Sequence, residues 1–304
     1  MDSDSGAERV ATVALLWDAP SEEARLRLVR RAVEAGGALP ALREELGQPT
    51  LLGDPVDTAL DAARTRVGAW EAEGITVLAF GDARYPRRLQ EVRDMPGVLF
   101  ARGRVRPDDV GVAVVGSRRA SERDRRTAHA LAHVLAERGV TVVSGLAAGI
   151  DTAAHRGALA AGGRTVGVIG TGIRRAYPPE NHALHDEVAD AGAVLSQFWP
   201  DTPPDRWTFP LRNAVMSGYS LATVVVAAGE RSGARIQARR AIEHGRPVVL
   251  LRSVVEHTSW GPEFAGRPDV HVARDPDGVV ALVERLVERP RRTRSLLDSL
   301  AAGR

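Results

Sequence analysis

GVAVVGSRR (residues 111–119), VTVVSGLAAGID (140–151) and TVGVIGTGIRRAYPPEN (165–181) decide the fold of this chain. Each begins as a short Val-rich run and ends in a Gly/Ser turn. Helix-like stretches separate them, RRTAHALAHVLAERG at 125–139 and DTAAHRGALAAGG at 151–163. The alternation continues through strand-like runs at 193–198, 221–228, 247–251 and 270–273, and helix-like runs at 182–192, 211–220, 232–245 and 276–288. Near-continuous apolar strands joined by helices predict an α/β fold, a mostly parallel sheet with helices on both faces and right-handed crossovers. Ligands of such sheets bind beyond the strand C-termini, near a switch point. The three turns are expected to meet along that edge as an anion-binding rim. Glycine allows close backbone approach there, and helix starts present free N–H groups.

Upstream, residues 9–73 read as helical. Ser21 opens one helix as an imperfect capping box, with Ala24 at the N3 position, and Gly36-Gly37 closes it. LPALREELG (39–47) and VDTALDAARTRVGAWEAEG (56–74) give two more. Residues 75–80 and 98–100 read as short strands leading into the sheet. The expected organisation is a small all-helical module over 1–73, a sheet domain over 74–288 and a basic tail over 289–304.

The 304 residues include 41 basic and 39 acidic side chains, a formal net charge of +2, and every basic one is arginine. Arginine's planar fork suits phosphate. A net charge this small leaves nucleic-acid binding to be argued from local charge placement. The absence of Lys is what a GC-rich coding bias produces. With 44% apolar residues and only 4% aromatics, the core is expected to be largely Val, Leu, Ala and Ile. There is no Cys, which excludes disulfides and thiolate metal sites. The polar N-terminus has no secretory h-region and no apolar run reaches membrane-spanning length, so a cytoplasmic location is the expectation.

In the first turn, Gly116 permits a tight bend, Ser117 donates or accepts, and Arg118 projects over the sheet edge. An ordinary βα turn with solvated arginines is the alternative. Ser144 and Gly145 are the contact candidates of the second turn, where Asp151 reads as a helix cap and His155 as a packed side chain. Gly170 and Gly172 form a third nest, with Tyr177 read as packing more than stacking. RWTFPLRN (206–213) reads as an irregular loop carrying Arg206, Phe209, Arg212 and Asn213. Cations for a phosphate backbone and a ring for a base are the two components of a single-strand groove. Core closure by Trp207 and Phe209, and loop anchoring by Arg212, are the competing readings. Arg231, Ser232 and Gly233 follow a strand and open a helix in a phosphate-facing position. No HExxH, GxSxG elbow or P-loop occurs, and GTGIRR breaks the GxGxxG fingerprint. No catalytic residue and no metal site is assigned.

GSR (116–118), SGLAAGID (144–151), AHRGAL (154–159), GTGIRRAYPPEN (170–181), FPLRNAVMSG (209–218) and SGARIQARRAIEHGR (232–246) resemble the motifs of the DNA-processing protein A (DprA, or Smf) family in order and spacing. YPRRL (85–89) and residues 96–103 are similar to its lead-in, and the resemblance covers about residues 70–290. The helical region stands where the family carries a module of the SAM or helix-hairpin-helix kind.

The resemblance implies a Rossmann-like fold that binds single-stranded DNA in a basic pocket, with no cofactor and no catalytic turnover. It implies protection of DNA during natural transformation or recombination, loading of RecA, and a homodimer formed through the Rossmann-like domain. It makes Arg118 the pocket arginine, Arg206 the basic residue ahead of the aromatic Phe209, and Arg212 the arginine of the FPxRN box. The chain also departs from the pattern. Ala148 stands where many relatives are basic, Ala214 replaces an arginine, 227–229 lack a common acidic pair, and Gln237-Ala238 replaces Thr-Ala. The winged-helix domain that usually ends such chains is not read in the sequence. The alternative is a nucleoside-monophosphate phosphoribohydrolase or a nucleotide-sensing protein of related fold. The hydrolases carry PGGxGTxxE where this chain reads GERSGARIQAR (229–239).

Overall fold

The computed structural model describes residues 2–49 and 53–288, so the basic tail over 289–304 lies outside the described residues. Helices α1 (Asp2–Trp17), α2 (Glu22–Glu34), α3 (Ala38–Leu46) and α4 (Pro55–Ala72) come first. Ser21 caps α2 by accepting from the Ala24 N–H at 3.2 Å, with no return bond from the Ala24 side chain. Asp54 caps α4 at Val56 N–H, and Pro55 sits in the first turn, where its missing N–H costs nothing.

The sheet strands are β1 (Thr76–Ala79), β2 (Val98–Gly103), β3 (Gly111–Gly116), β4 (Thr141–Ser144), β5 (Thr165–Val168), β6 (Ala193–Ser196), β7 (Ala222–Ala227), β8 (Val248–Leu251) and β9 (Val270–Ala273). They form one sheet in the order β1-β2-β6-β5-β4-β3-β7-β8-β9. All pairs from β6 through β9 in that order are parallel. The two lead-in strands add an antiparallel edge. The helices between strands are α5 (Arg87–Gln90), α6 (Glu122–Glu137), α7 (Ile150–Ala160), α8 (His182–Ala191), α9 (Thr208–Tyr219), α10 (Gly233–Glu243), α11 (Arg252–His257) and α12 (Trp260–Ala265). A last helix covers 276–288. Residues 252–265, for which the sequence offers no reading, are two short helices.

Strand order reverses at the β3/β7 pair, because the chain runs outward to β4 on one side and from β7 to β8 on the other. The pleat divides β3 between two cores. Val112 and Val114 meet Leu131 and Leu135 of α6 and Ile150 of α7. Ala113 and Val115 join Val215 and Met216 of α9 and Ala234 and Ala238 of α10. A third core holds Leu16, Ala63 and Trp70 of the helical module together with Val77, Phe100 and Val194 of the sheet. Its centre is a ring cluster in which Trp17 lies 4.9 Å from Trp199 and Trp70 lies 5.1 Å from Phe100. Arg25 covers Trp199 at 4.8 Å. The helical module therefore shares its core with the sheet. No helix among the described residues is long and apolar enough to cross a membrane.

Candidate nucleic-acid interface

A cleft of about 850 Å³ opens beyond the C-terminal ends of β3 and β7, at the switch point. The turn after β3 forms one wall, residues 204–213 another, and the start of α10 a third. Gly116 is required where β3 ends, because a Cβ there would lie 2.7 Å from the Ala227 carbonyl oxygen and 2.5 Å from Ile150 Cγ1. Ser117 N–H donates to that same carbonyl at 2.8 Å, and its hydroxyl accepts from Arg119 N–H at 3.1 Å. The resulting turn leaves Arg118 and Arg119 exposed.

The loop after β4 supports this turn from behind. Gly149 has φ +82°, and a Cβ would fall 2.4 Å from the Ser117 carbonyl oxygen, so only glycine lets the two loops touch. Asp151 does not cap α7, which corrects the sequence reading. The helix starts at Ile150 behind Gly149, and Asp151 instead accepts from Gly145 N–H at 3.1 Å, closing the loop on itself. Burial raises the Asp151 carboxyl above its ordinary range, opposed by the Arg212 charge and by backbone donors. Asn181 Nδ2 donates to Leu146 O and Thr152 Oγ1, both at 2.9 Å, and pins the loop from outside. His155 is fully buried beside Thr165 Oγ1 at 2.7 Å, and burial depresses it from 6.5 to about 3.

The segment expected as a loop is helical from Thr208, so Phe209, Arg212 and Asn213 ride on the first turns of α9. Pro210 reads as a breaker in sequence, but first-turn N–H groups have no intrahelical acceptor, so it fits there. Phe209 faces the cleft with Arg118 Cζ 4.9 Å from its ring centre and the Tyr177 ring 5.7 Å away. Arg212 is 5% exposed and donates to the Gly145 carbonyl at 2.8 Å, to the Val168 carbonyl, and through Nε to Asn213 Oδ1 at 3.2 Å. Burial lowers its pKa to about 10, with Asp151 opposing and Arg118 adding to the shift. It remains charged at neutral pH and ties the ends of β4 and β5 to α9.

Of the sequence candidates, Gly116, Ser117, Arg118, Arg206, Phe209, Arg212, Asn213, Arg231, Ser232 and Gly233 line one cleft. Ser144, Gly145, Gly170 and Gly172 do not. Ser144 is buried and donates to the Val114 carbonyl at 2.7 Å. The Cβ space of Gly145 is filled by the Arg212 guanidinium, that of Gly170 by the Phe209 ring, and that of Gly172 by the Pro200 carbonyl. These glycines serve close packing and not an open nest. Ser232 caps α10, accepting from Ala234 N–H at 3.2 Å, which aims the helix start at the cleft. Trp207 is 51% exposed and lies edge-on to Phe198 at 6.1 Å.

Sequence reasoning passed over Ala147, Asp205, Met216, Ile236 and Gln237, which also line the cleft. The signal for Ile236 and Gln237 was available: they stand three and four residues after Gly233, on the same helical face. Arg118, Arg119, Arg206 and Arg231 all border the cleft, and none of the four forms an ion pair among the described residues. Other arginines do pair, such as Arg125 with Glu122 and Arg174 with Asp201. Four arginines without an ion pair, against Asp151 and Asp205 in the same lining, leave the cavity with an excess of positive charge that favours an anionic occupant. No group of three His, Asp or Glu able to hold a metal ion occurs among the described residues.

The sequence over residues 76–267 matches the family model described as DNA recombination-mediator protein A. A DNA processing protein DprA of Bacillus subtilis is 37% identical over 199 residues, covering 64% of this chain and 67% of that protein. DprA of Streptococcus pneumoniae is 41% identical over 171 residues, 55% of this chain and 59% of the relative. Protein Smf of Escherichia coli is 36% identical over 199 residues, 64% of this chain and 53% of the relative. The chain thus spans about half to two thirds of the length of these curated relatives. The X-ray structure of the S. pneumoniae DprA superposes with a TM-score of 0.65 at 29% identity, over 84% of this chain and 92% of that one. A Helicobacter pylori DprA, whose structure addresses that protein's single-stranded DNA binding, has a TM-score of 0.62 at 24% identity, over 71% and 96%, and is a match of fold. With its family model matched over 76–267, more than half of its length, the chain belongs to the DNA recombination-mediator protein A family.

Proposed function

We propose that this protein binds single-stranded DNA in the β3/β7 cleft and acts as a recombination mediator without chemical turnover. The observation that carries the reading is the set of arginines without an ion pair, Arg118, Arg119, Arg206 and Arg231, that line one cleft with Phe209, Arg118 lying over its ring. Cations track the phosphate backbone, and a flat ring accepts a base. Ser117, Asn213, Ser232 and Gly233 add polar groups and a helix start to the lining of the same cleft. Arg212 acts in this reading through the frame, holding Gly145 and Val168 in place beneath the rim. Family membership supports the further steps: protection of the strand, delivery to RecA, and action as a homodimer through the Rossmann-like domain. Those steps would serve natural transformation or general recombination.

The test is a titration of fluorescent oligo-dT about 20–30 nucleotides long, followed by anisotropy at several salt concentrations, with duplex and mononucleotide as competitors. Salt-sensitive binding that prefers the single strand is expected. Mononucleotide binding with no affinity for oligonucleotides would replace this reading with a nucleotide-binding one.

A further inference from the structure

The wall of the cleft contains a polar side chain that the family reading does not use. Gln237 lies one turn into α10, is 1% exposed, and lines the cleft with Val115, Met216 and Asn213. Both Oε1 and Nε2 lack a hydrogen-bond partner among the described residues. Buried amides are nearly always bonded, and an unbonded one destabilises the free protein. Both its donor and its acceptor are unpaired, which restricts the partner. A phosphate offers acceptors only, so it satisfies Nε2 and leaves Oε1 unbonded. The unpaired edge of a splayed-out nucleobase carries a donor beside an acceptor and matches a carboxamide at both ends.

We propose that Gln237 is a specificity-determining residue that hydrogen-bonds the edge of a base inserted in the cleft. The proposal rests on the single-strand reading above and deepens it. The division of labour follows from position. Arg118, Arg119, Arg206 and Arg231 at the rim take the backbone, Phe209 offers a stacking face, and the Gln237 amide reads the edge. The amide atoms are closed to solvent in the free protein, so engagement requires the side chain to turn toward the base. The unpaired state lowers the resistance to that turn, because no protein hydrogen bond is broken.

The experiment compares the full chain with Gln237→Met, which keeps length and volume and removes both polar atoms. Gln237→Leu is a second apolar variant, and thermal melts establish that each is folded. Anisotropy titrations use 25-mers of dT, dA and dC and an abasic 25-mer at fixed salt. The variants are expected to lose about tenfold in affinity for at least one base-bearing strand and to alter the order among the three. Abasic affinity and the salt slope should stay as in the parent. Folded variants with unchanged affinities for dT, dA and dC would overturn the proposal and leave the single-strand reading standing. Failure of the parent to bind any of the strands would overturn both.

Discussion

The Arg118 guanidinium carbon lies 4.9 Å from the centre of the Phe209 ring, which joins the turn after β3 to the first turn of α9 across the cleft. The cation thereby holds the ring's position while its remaining donors stay free for an anion. A cation–π contact of this kind contributes about 0.5–2 kcal/mol. Phe209→Ala is expected to weaken single-strand binding by roughly 1–3 kcal/mol per stacked base, with little change in salt slope. Titration of an abasic strand in parallel checks this, since loss of stacking predicts no comparable drop there.

Arg212 and Arg118 should separate cleanly into stability and binding. Arg212→Met strips donors from the Gly145 and Val168 carbonyls and leaves buried Asp151 without its compensating charge. Each lost hydrogen bond from the charged guanidinium to a buried carbonyl typically costs about 1.5–3 kcal/mol. Urea unfolding should show that loss, whereas exposed Arg118→Ala gives up only the contact with the Phe209 ring and should cost about 0.5–1 kcal/mol.

Gly149 tests the loop contact behind the cleft. Its φ of +82° and the 2.4 Å approach of a Cβ to the Ser117 carbonyl oxygen leave alanine no relaxed position. Gly149→Ala should lower stability by about 1–3 kcal/mol and displace the turn that carries Arg118. A melt together with a DNA titration reads both effects, and a variant equal to the parent in both would contradict the contact.

Acid should destabilise the fold through His155. Its folded pKa of about 3 lies below the ordinary 6.5, so the unfolded chain binds a proton that the folded chain refuses between those values. The stability from this source is complete above about pH 6.5 and falls toward pH 3, by up to ~1.4 kcal/mol per pH unit. Burial lowers His185 and His244 as well, with the same sign. Asp151 is raised and acts in the opposite direction, favouring the folded state as the carboxyl protonates. Urea midpoints from pH 7 to pH 5 should therefore fall, and His155→Gln should flatten the fall.

The strands of the sheet's centre were legible because both of their faces are buried: runs such as GVAVV and TVVS have no polar phase to mislead. The start of α9 was not, because Pro210 signals a break everywhere except in a first turn. Local sequence could not distinguish Gly116, at the cleft, from Gly170 and Gly172, beneath it. In all three the space of the missing Cβ is taken by distant chain, Ile150 and the Ala227 carbonyl at Gly116, the Phe209 ring at Gly170 and the Pro200 carbonyl at Gly172, and only Gly116 also lines the cleft. Arg118 and Arg212 likewise look equivalent until their depth is known, one exposed and the other holding two carbonyls. Asp151 took the form of a cap and proved to be a loop clasp, since the helix begins one residue ahead of it.

The central claim is that unpaired rim arginines neutralise phosphates of a single strand. The most direct measurement is the slope of log affinity against log salt for oligo-dT, in the parent and in Arg118→Ala/Arg231→Ala. Each phosphate contact contributes about 0.7 to that slope, so the double variant should bind more weakly with a slope smaller by about 1.4. A folded double variant with the parent's affinity and slope would contradict the account.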